Sequence, residues 1–189
     1  IEPPEDDVPL RSAIADLSAY DWLLFTSANA VSRFFAALLT AGKDARAIRG
    51  RICAIGDKTA AALTLAGIHP DRIASQAIAE GVVAAFAEEN LAGARVLLPR
   101  AAAGRDVIPV EFRKRGARVD VVPVYRTVVP AESQERLATV EHADWITFTS
   151  SSTVKNFLAL GGRRLLDAGA KTASIGPRSE EHTSELQSL

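Results

Sequence analysis

The chain has 189 residues, of which 48% are hydrophobic, enough to fill one large core or two small ones. Its 22 basic residues nearly balance 23 acidic ones, and no apolar run approaches the roughly 20 residues that cross a bilayer, so neither nucleic acid nor a membrane is an expected partner. The single cysteine, Cys53, excludes an internal disulfide and, with no signal-peptide pattern, favours a cytoplasmic location.

Strand-like and helix-like segments alternate along residues 22–125. The apolar run 22–26 predicts a buried strand, and Ser27 occupies the N-cap position of a helix that ends before Gly42. The remaining pattern predicts strands at 51–55, 68–74, 95–98 and 118–125, and helices at 58–66, 80–89 and 106–115. This rhythm with short connections predicts a parallel sheet flanked by helices.

Residues 125–130 are expected to form an extended linker, because they carry no helical period and end in Pro130. Beyond the linker we predict a helix at 133–140, a strand at 145–149, a helix after Ser152 and a strand at 172–175. These elements predict a complete α/β domain over 1–127 and a partial second domain over 128–177. Residues 178–189 lack the expected apolar helix and are predicted to be a non-native tail, with a native polar extension as the alternative.

One motif occurs twice in the chain, as DWLLFTSANAVSRFF at 21–35 and as DWITFTSSSTVKNFL at 144–158. Seven of the fifteen aligned positions are identical. A second, weaker repeat pairs ICAIGDKT at 52–59 with TASIGPRS at 172–179. The duplication predicts two related α/β units, each with the same corner between a strand and a helix.

These corners are suited to binding anions, because ligands gather beyond the carboxyl ends of parallel strands and helix N-termini present unpaired N–H groups. Gly56 is expected to allow close backbone approach, and Thr59 is expected to face outward. Helix capping alone is the alternative role for the hydroxyl residues. The corners supply these candidate binding residues: Ser27, Ala28, Asn29, Gly56, Lys58, Thr59, Ser150 and Ser151.

Four further positions are of interest. Tyr125 ends a predicted strand beside the linker, where a phenol could donate a proton or hold a departing hydroxyl; the alternative, which the residues alone favour, is an aromatic anchor in the hinge. Arg100 and Arg105 bracket a strand-to-helix loop and could pair with ligand carboxylates, or with Asp106 and solvent. Lys171 begins the later strand of the second copy, where a solvated surface role is the alternative.

The common catalytic motifs are absent from the sequence. The three histidines have no metal-ligand spacing with Cys53, and no elbow motif supports a serine triad. Neither a GxxxxGK[ST] loop nor a GxGxxG fingerprint is present. We therefore expect no bound metal, and we expect Cys53 to be a core residue.

Six segments in this order closely resemble uroporphyrinogen-III synthase of bacterial type, over about residues 1–177: FTSANAV, ICAIGDKTAAAL, AEGVV, RVLLPRA, VDVVPVYRTV and DWITFTSSSTVKNF. The resemblance implies two flavodoxin-like parallel-sheet domains joined by an extended linker, with the active site between them. It also implies a cofactor-free, monomeric hydro-lyase. Such an enzyme cyclises the linear tetrapyrrole hydroxymethylbilane to uroporphyrinogen III, inverting the last pyrrole ring and releasing water.

By motif match, five residues fall on positions of the family's cleft: Ser27, Thr59, Tyr125, Ser150 and Lys171. The resemblance leads to the hypothesis that Tyr125 assists departure of the hydroxyl while the corners hold the substrate's carboxylates. Family members continue at both ends with strands and helices that have no counterpart here. A chain without them is expected to be less stable, and it could lack activity.

Two other classes of function are alternatives to the enzyme. A non-catalytic two-domain protein that binds a polycarboxylate small molecule would need the same corners. A flavodoxin-like regulatory domain is disfavoured, because the corners lack the clustered acidic residues of a phosphoryl-accepting site.

Overall fold

The computed structural model describes residues 1–174, which form an α/β fold with parallel sheets. The chain divides into two compact units, Ile1–Val128 and Val129–Leu189, here called the first and second unit. Three predicted features lie outside the described residues: the tail at 178–189, the part of the TASIGPRS repeat beyond Ser174, and the end of the strand predicted at 172–175.

The first unit contains a five-stranded sheet in which all neighbouring strands are parallel. Its strands are β1 (Trp22–Phe25), β2 (Arg51–Ala54), β3 (Arg72–Ile73), β4 (Arg95–Ala101) and β5 (Arg118–Tyr125). They lie in the order β3-β2-β1-β4-β5, so the direction of winding reverses between β1 and β4. A gap of this kind is the topological switch point at which doubly wound sheets bind ligands.

The strand order does not confirm the flavodoxin-like detail of the prediction. Flavodoxin-like sheets have the order 2-1-3-4-5, whereas here the third strand lies at the edge beyond β2. Apolar runs in the sequence indicate where the individual strands are. The helices predicted between them indicate that the strands are parallel. They do not reveal which strands are neighbours, because that depends on tertiary packing.

The helices of the first unit are α1 (Val8–Ala15), α2 (Ala28–Thr40), α3 (Asp57–Leu65), α4 (Ala79–Ala85) and α5 (Val107–Lys114), with 3₁₀ turns at Leu17–Ala19 and Ala45–Ala47. The helix α1 was not predicted, since eight residues show little helical period. The strand predicted at 68–74 is only two residues long, and the helix predicted at 80–89 ends at Ala85. Within residues 1–174 no helix is long and apolar enough to cross a membrane.

The core of the first unit lies on both faces of the sheet. Leu23 and Phe25 pack with buried residues of α1, α2 and α3, whereas Trp22 and Leu24 pack with Val82 and other residues from the α4 and α5 side. Successive side chains of a strand point to opposite faces. A strand covered on both faces therefore needs the continuous apolar run WLLF, and all four of its residues are buried.

The second unit contains α6 (Ser133–Ala138), β6 (Trp145–Phe148), α7 (Ser151–Ala159), α8 (Arg163–Asp167) and β7 (Lys171–Ser174). The strands β6 and β7 are parallel, with Trp145 opposite Lys171 and Phe148 opposite Ser174. The short helix α8 was not predicted. Of the four residues of β6 only Phe148 is buried.

Candidate functional site at the switch point

A cavity of about 170 Å³ lies at the carboxyl edge of the first sheet. Thr26 and Ser27 follow β1, Arg100 lies near the end of β4, and Tyr125 ends β5, so three strand ends form its wall. The remaining lining residues are Ala79, Leu98, Ala101, Ala103, Gly104, Arg105 and Ile108. The cavity thus lies at the switch point between β1 and β4, where the topology favours ligand binding.

Larger grooves lie on the outer helical faces of the first unit. One of about 740 Å³ is lined by residues of α2 and α3, and one of about 680 Å³ by residues of α1 and α2. Both are mainly apolar, and neither is lined by Thr26, Ser27, Arg100 or Tyr125. We therefore place the candidate site in the smaller cavity, because the convergent polar side chains are there.

Ser27 has two roles in this geometry. Its backbone is extended, with φ −163° and ψ 153°, and its Oγ accepts a hydrogen bond from the N–H of Ala30 at 3.1 Å, which caps α2. The same Oγ lies 3.3 Å from the Oη of Tyr125. The predicted N-cap is therefore present, and the capping atom also contacts the candidate acid.

Tyr125 reaches the cavity because the β4–β5 ladder is irregular. Arg100 pairs with Pro123, but Ala101 pairs with Tyr125, so Val124 is an extra residue on β5. In a regular strand Tyr125 and Val124 would point to opposite faces. Here both lie in the same buried cluster, and Tyr125 is only 9% exposed. Irregularities of this kind commonly redirect side chains near functional sites.

Arg100 is held by the loop that follows β4. Its Nη1 donates to the carbonyl of Arg105 and its Nη2 donates to the carboxylate of Asp106, each at 2.6 Å. Its Nε is buried with no hydrogen-bond partner among the described residues. Asp106 is largely exposed, and exposed pairs contribute little stability, so a ligand carboxylate could compete for this guanidinium.

Arg105 also lines the cavity, and its guanidinium is paired with Glu80 on α4, with Nη1 donating to Oε1 at 2.8 Å. Thr26 is a lining residue that was not predicted. Its position in the repeated FTS motif was the available signal, since it directly precedes the capping serine in both copies.

The corner after β2 differs from the expectation. Thr59 is 3% exposed and does not face outward, because it shares the buried face of α3 with Ala60 and Leu63. A Cβ on Gly56 would lie 3.0 Å from the Cβ of Ala77, so the close approach at this glycine is to the protein's own loop. Lys58 is exposed on the first turn of α3.

The structure brings together only part of the predicted set. Ser27, Arg100 and Tyr125 line one cavity, while the other predicted residues of the first unit do not: Ala28, Asn29, Gly56, Lys58 and Thr59. Ala28 and Asn29 are exposed in the first turn of α2.

In the second unit, Ser150 caps α7 by accepting from the N–H of Thr153 at 3.3 Å, and Ser151 begins that helix. The Oγ of Ser150 lies 3.0 Å from the Oγ of Ser152 and 2.8 Å from the Oγ1 of Thr153. Lys171 is exposed, with its Nζ 5.5 Å from the centre of the Trp145 ring. The repeated corner therefore forms a hydroxyl cluster of its own.

Within residues 1–174 no group of three or more His, Cys, Asp or Glu side chains is arranged to hold a metal ion. Burial raises the pKa of the Cys53 thiol to about 12, an effect that Arg72 only partly opposes. This thiol is therefore protonated at neutral pH, and it behaves as a core residue of β2.

The doubly wound parallel sheet with polar side chains at its switch point defines an α/β protein of the type that binds small molecules beyond its strand ends. The family model described as uroporphyrinogen-III synthase HemD matches residues 1–188. The chain belongs to the uroporphyrinogen-III synthase family, the hydro-lyases of porphyrin biosynthesis.

Relatives with this name are similar over most of the chain. The uroporphyrinogen-III synthase of Synechococcus elongatus is 36% identical over 196 residues, covering 98% of this chain and 74% of the relative. That of Chlorobaculum parvum is 27% identical, covering 86% of this chain and 69% of the relative.

Solved structures of similar proteins agree in fold. A mutant uroporphyrinogen III synthase from Thermus thermophilus superposes with a TM-score of 0.65 at 21% identity, covering 98% of this chain and 78% of that protein. The Helicobacter pylori protein gives 0.52 at 19% identity, covering 99% and 87%. At this level of identity the likeness shows the fold.

Proposed function

We propose that this protein converts hydroxymethylbilane into uroporphyrinogen III, with inversion of the last pyrrole ring and loss of water, at a site that includes the switch-point cavity. The observation that carries the proposal is the buried hydroxyl of Tyr125 beside Ser27, with Arg100 in the same wall. A phenol can supply a proton, and a guanidinium matches a carboxylate in charge and shape.

The cavity holds one part of the substrate. Pockets that bury a drug-sized ligand occupy about 300–1,000 Å³, whereas this cavity measures about 170 Å³. It can therefore accept one pyrrole ring or one carboxylate arm of a linear tetrapyrrole, and the rest of the substrate would lie outside it. The hydroxymethyl end is the part that needs a proton donor, so we assign that end to the cavity.

In the first chemical step Tyr125 donates its phenolic proton to the terminal hydroxyl of the substrate. The carbon–oxygen bond breaks, both of its electrons stay on oxygen, and water leaves. The lone pair of the pyrrole nitrogen is then delocalised onto the electron-deficient carbon. The pyrrole N–H proton then returns to the phenolate, which leaves a neutral azafulvene and the original tyrosine. The substituted carbon of the last ring attacks the azafulvene, and the spiro intermediate rearranges and closes. Because the azafulvene is reactive, positioning supplies much of the catalysis.

The finer organisation is part of the same proposal. We assign one α/β domain to 1–127 and a second to 128–177, joined by an extended linker, on the basis of the duplicated motif. The corner of the second unit would contribute to carboxylate binding through Ser150, Ser151 and Lys171, as would Asn29 and Lys58 in the first unit. The enzyme is proposed to be monomeric, cytoplasmic and independent of any cofactor.

The product isomer tests this proposal. The full gene product is incubated with hydroxymethylbilane, and the oxidised porphyrins are separated by chromatography. A sample without protein gives the spontaneous type I isomer, and the Synechococcus elongatus enzyme is run in parallel. We expect an excess of type III. A protein that binds the substrate yet yields only type I would instead be the non-catalytic polycarboxylate-binding protein.

A further inference from the structure

The hydrogen bonds of Ser27 restrict the direction in which Tyr125 can give its proton. A serine hydroxyl has one hydrogen to donate and two lone pairs to accept with. One lone pair of the Ser27 Oγ is used by the N–H of Ala30 at 3.1 Å. Its hydrogen and its other lone pair remain for the Oη of Tyr125 at 3.3 Å. The pair can therefore be arranged in two ways, with either hydroxyl as the donor.

Only one of these arrangements is compatible with proton donation to a ligand. If Tyr125 donates to Ser27, the phenolic proton is engaged with the Ser27 Oγ and is not available to a ligand. If Ser27 donates to Tyr125, the phenolic proton is free to point into the space that both residues line. We infer that Ser27 is a positioning residue that donates its hydrogen to the Oη of Tyr125 and so directs the phenolic proton to the hydroxyl that leaves. This inference rests on the function proposed above.

The first turn of α2 favours this direction. The N–H of Ala30 belongs to the N-terminal turn of a thirteen-residue helix, where unpaired donors and the helix dipole produce a positive local potential. A hydroxyl that accepts from such a donor becomes a better donor itself, because hydrogen bonds in a chain polarise one another. The chain then runs from Ala30 N–H to Ser27, to Tyr125 and to the substrate.

The second copy of the motif shows that capping alone does not account for the contact. Ser150 has nearly the same backbone conformation, with φ −163° and ψ 158°, and it also caps its helix. Its Oγ meets the hydroxyls of Ser152 and Thr153. The cap is thus common to both corners, whereas the contact with a tyrosine in the first corner depends on the extra residue in β5.

Four substitutions at one position separate the possible roles of Ser27. Ser27→Thr keeps both the cap and a hydroxyl donor. Ser27→Gly keeps most of the cap but has no side chain, and Ser27→Ala loses both. Ser27→Asp keeps the cap and can accept from Tyr125 but cannot donate. Each variant is measured in the full gene product for kcat and KM with hydroxymethylbilane and for thermal stability. Ser150→Ala gives the stability cost of losing a cap without the tyrosine.

We expect Ser27→Thr to remain within about threefold of wild type in kcat. Ser27→Gly should lower kcat by about tenfold or more with KM changed less than about threefold, which is the signature of an interaction made in the transition state. Ser27→Asp should be as stable as wild type, and its kcat should be no higher than that of Ser27→Gly. Combining Ser27→Gly with Tyr125→Phe should cost little beyond Tyr125→Phe alone, because both act through one proton.

Three results would overturn the inference. A raised KM with unchanged kcat in Ser27→Gly would make Ser27 a ligand for a substrate carboxylate. Wild-type kcat in Ser27→Asp would mean that Tyr125 donates to position 27. Wild-type kinetics in Ser27→Gly would leave Ser27 as a cap alone. Failure of the proposed function is recognised separately, because wild-type protein would then yield no type III product.

Discussion

The two copies of the DW motif have the same local structure but different surroundings. In each copy the strand phenylalanine packs edge-on against a helix phenylalanine, with Phe25 and Phe34 centred 5.4 Å apart and Phe148 and Phe157 5.3 Å apart, both at 71°. In each copy a serine caps the following helix. Fifteen residues with seven identities therefore determine the strand, the corner, the cap and the aromatic pair.

The tryptophans show where the copies differ. Trp22 is 2% exposed, with Phe86 at 4.6 Å and the guanidinium of Arg51 4.2 Å from its ring centre. Trp145 is 59% exposed. The strand β1 has a neighbour on each side, whereas in the described part of the chain β6 pairs with β7 alone. Burial of the shared tryptophan is thus a tertiary property, set by residues far from the motif.

The largest expected difference between the copies is in stability. Trp22→Ala should lower the free energy of unfolding by about 3–5 kcal/mol, because it leaves a large cavity against Phe86. Trp145→Ala should change it by about 0.5 kcal/mol, since the ring is largely exposed. Urea unfolding followed by circular dichroism measures both. Equal losses would mean that the two motifs have equivalent surroundings.

Removing the helix cap should cost the same stability in both copies, unlike removing the tryptophan. Ser27→Ala and Ser150→Ala should each lower stability by about 1 kcal/mol, because each removes the acceptor for one N–H at a helix start. Thermal unfolding of the two variants tests this. A much larger loss for Ser27→Ala would show that its contact with Tyr125 also stabilises the fold.

Alkaline pH should affect the first unit selectively. Burial, followed by a hydrogen bond to Asp120, raises the pKa of Tyr20 from 10.0 to about 12. The folded state favours the protonated phenol, so this contribution is complete below pH 10 and is lost as the pH rises towards 12. Tyr20→Phe should therefore flatten the fall in stability between these pH values. An unchanged slope would assign the fall to other groups, of which the buried thiol of Cys53 is the first to test by Cys53→Ala.

The smallest expected effect is a difference in fluorescence quenching between the two tryptophans. The chain has two tryptophans, so Trp22→Phe and Trp145→Phe each leave one reporter. Iodide should quench the fluorescence of Trp145 strongly and that of Trp22 weakly, because iodide reaches only exposed rings. Similar quenching of both reporters would contradict the difference in burial on which the comparison depends.

Much of the fold was predictable because it is local. The strand 118–125, the strand before each corner and the Ser27 cap were predicted from apolar runs and an N-cap residue. The second helix was predicted after Ser152, but it begins at Ser151 with Ser150 as its cap. The burial of Thr59 was also within reach, since Leu63 lies four residues later on the same helical face. The direction of the Thr59 side chain is determined by the apolar face of α3 and not by the corner that precedes this helix.

The remainder required tertiary structure. The lateral order of the strands and the extra residue Val124 in β5 have no signature in the period of apolar residues. In a strand that continued without this irregularity Tyr125 would point to the other face and would not meet Ser27. Arg100 was predicted as a ligand residue or a partner of Asp106, and the structure shows the second arrangement.

Single-turnover formation of uroporphyrinogen III by Tyr125→Phe tests the central claim most directly, with Tyr20→Phe as the matched control. Each variant removes one buried tyrosine hydroxyl that has a hydrogen-bond partner, but only Tyr125 lines the switch-point cavity. We predict that Tyr125→Phe slows the chemical step by about a hundredfold with KM nearly unchanged, and that Tyr20→Phe leaves the rate intact. A wild-type rate in Tyr125→Phe would contradict the account.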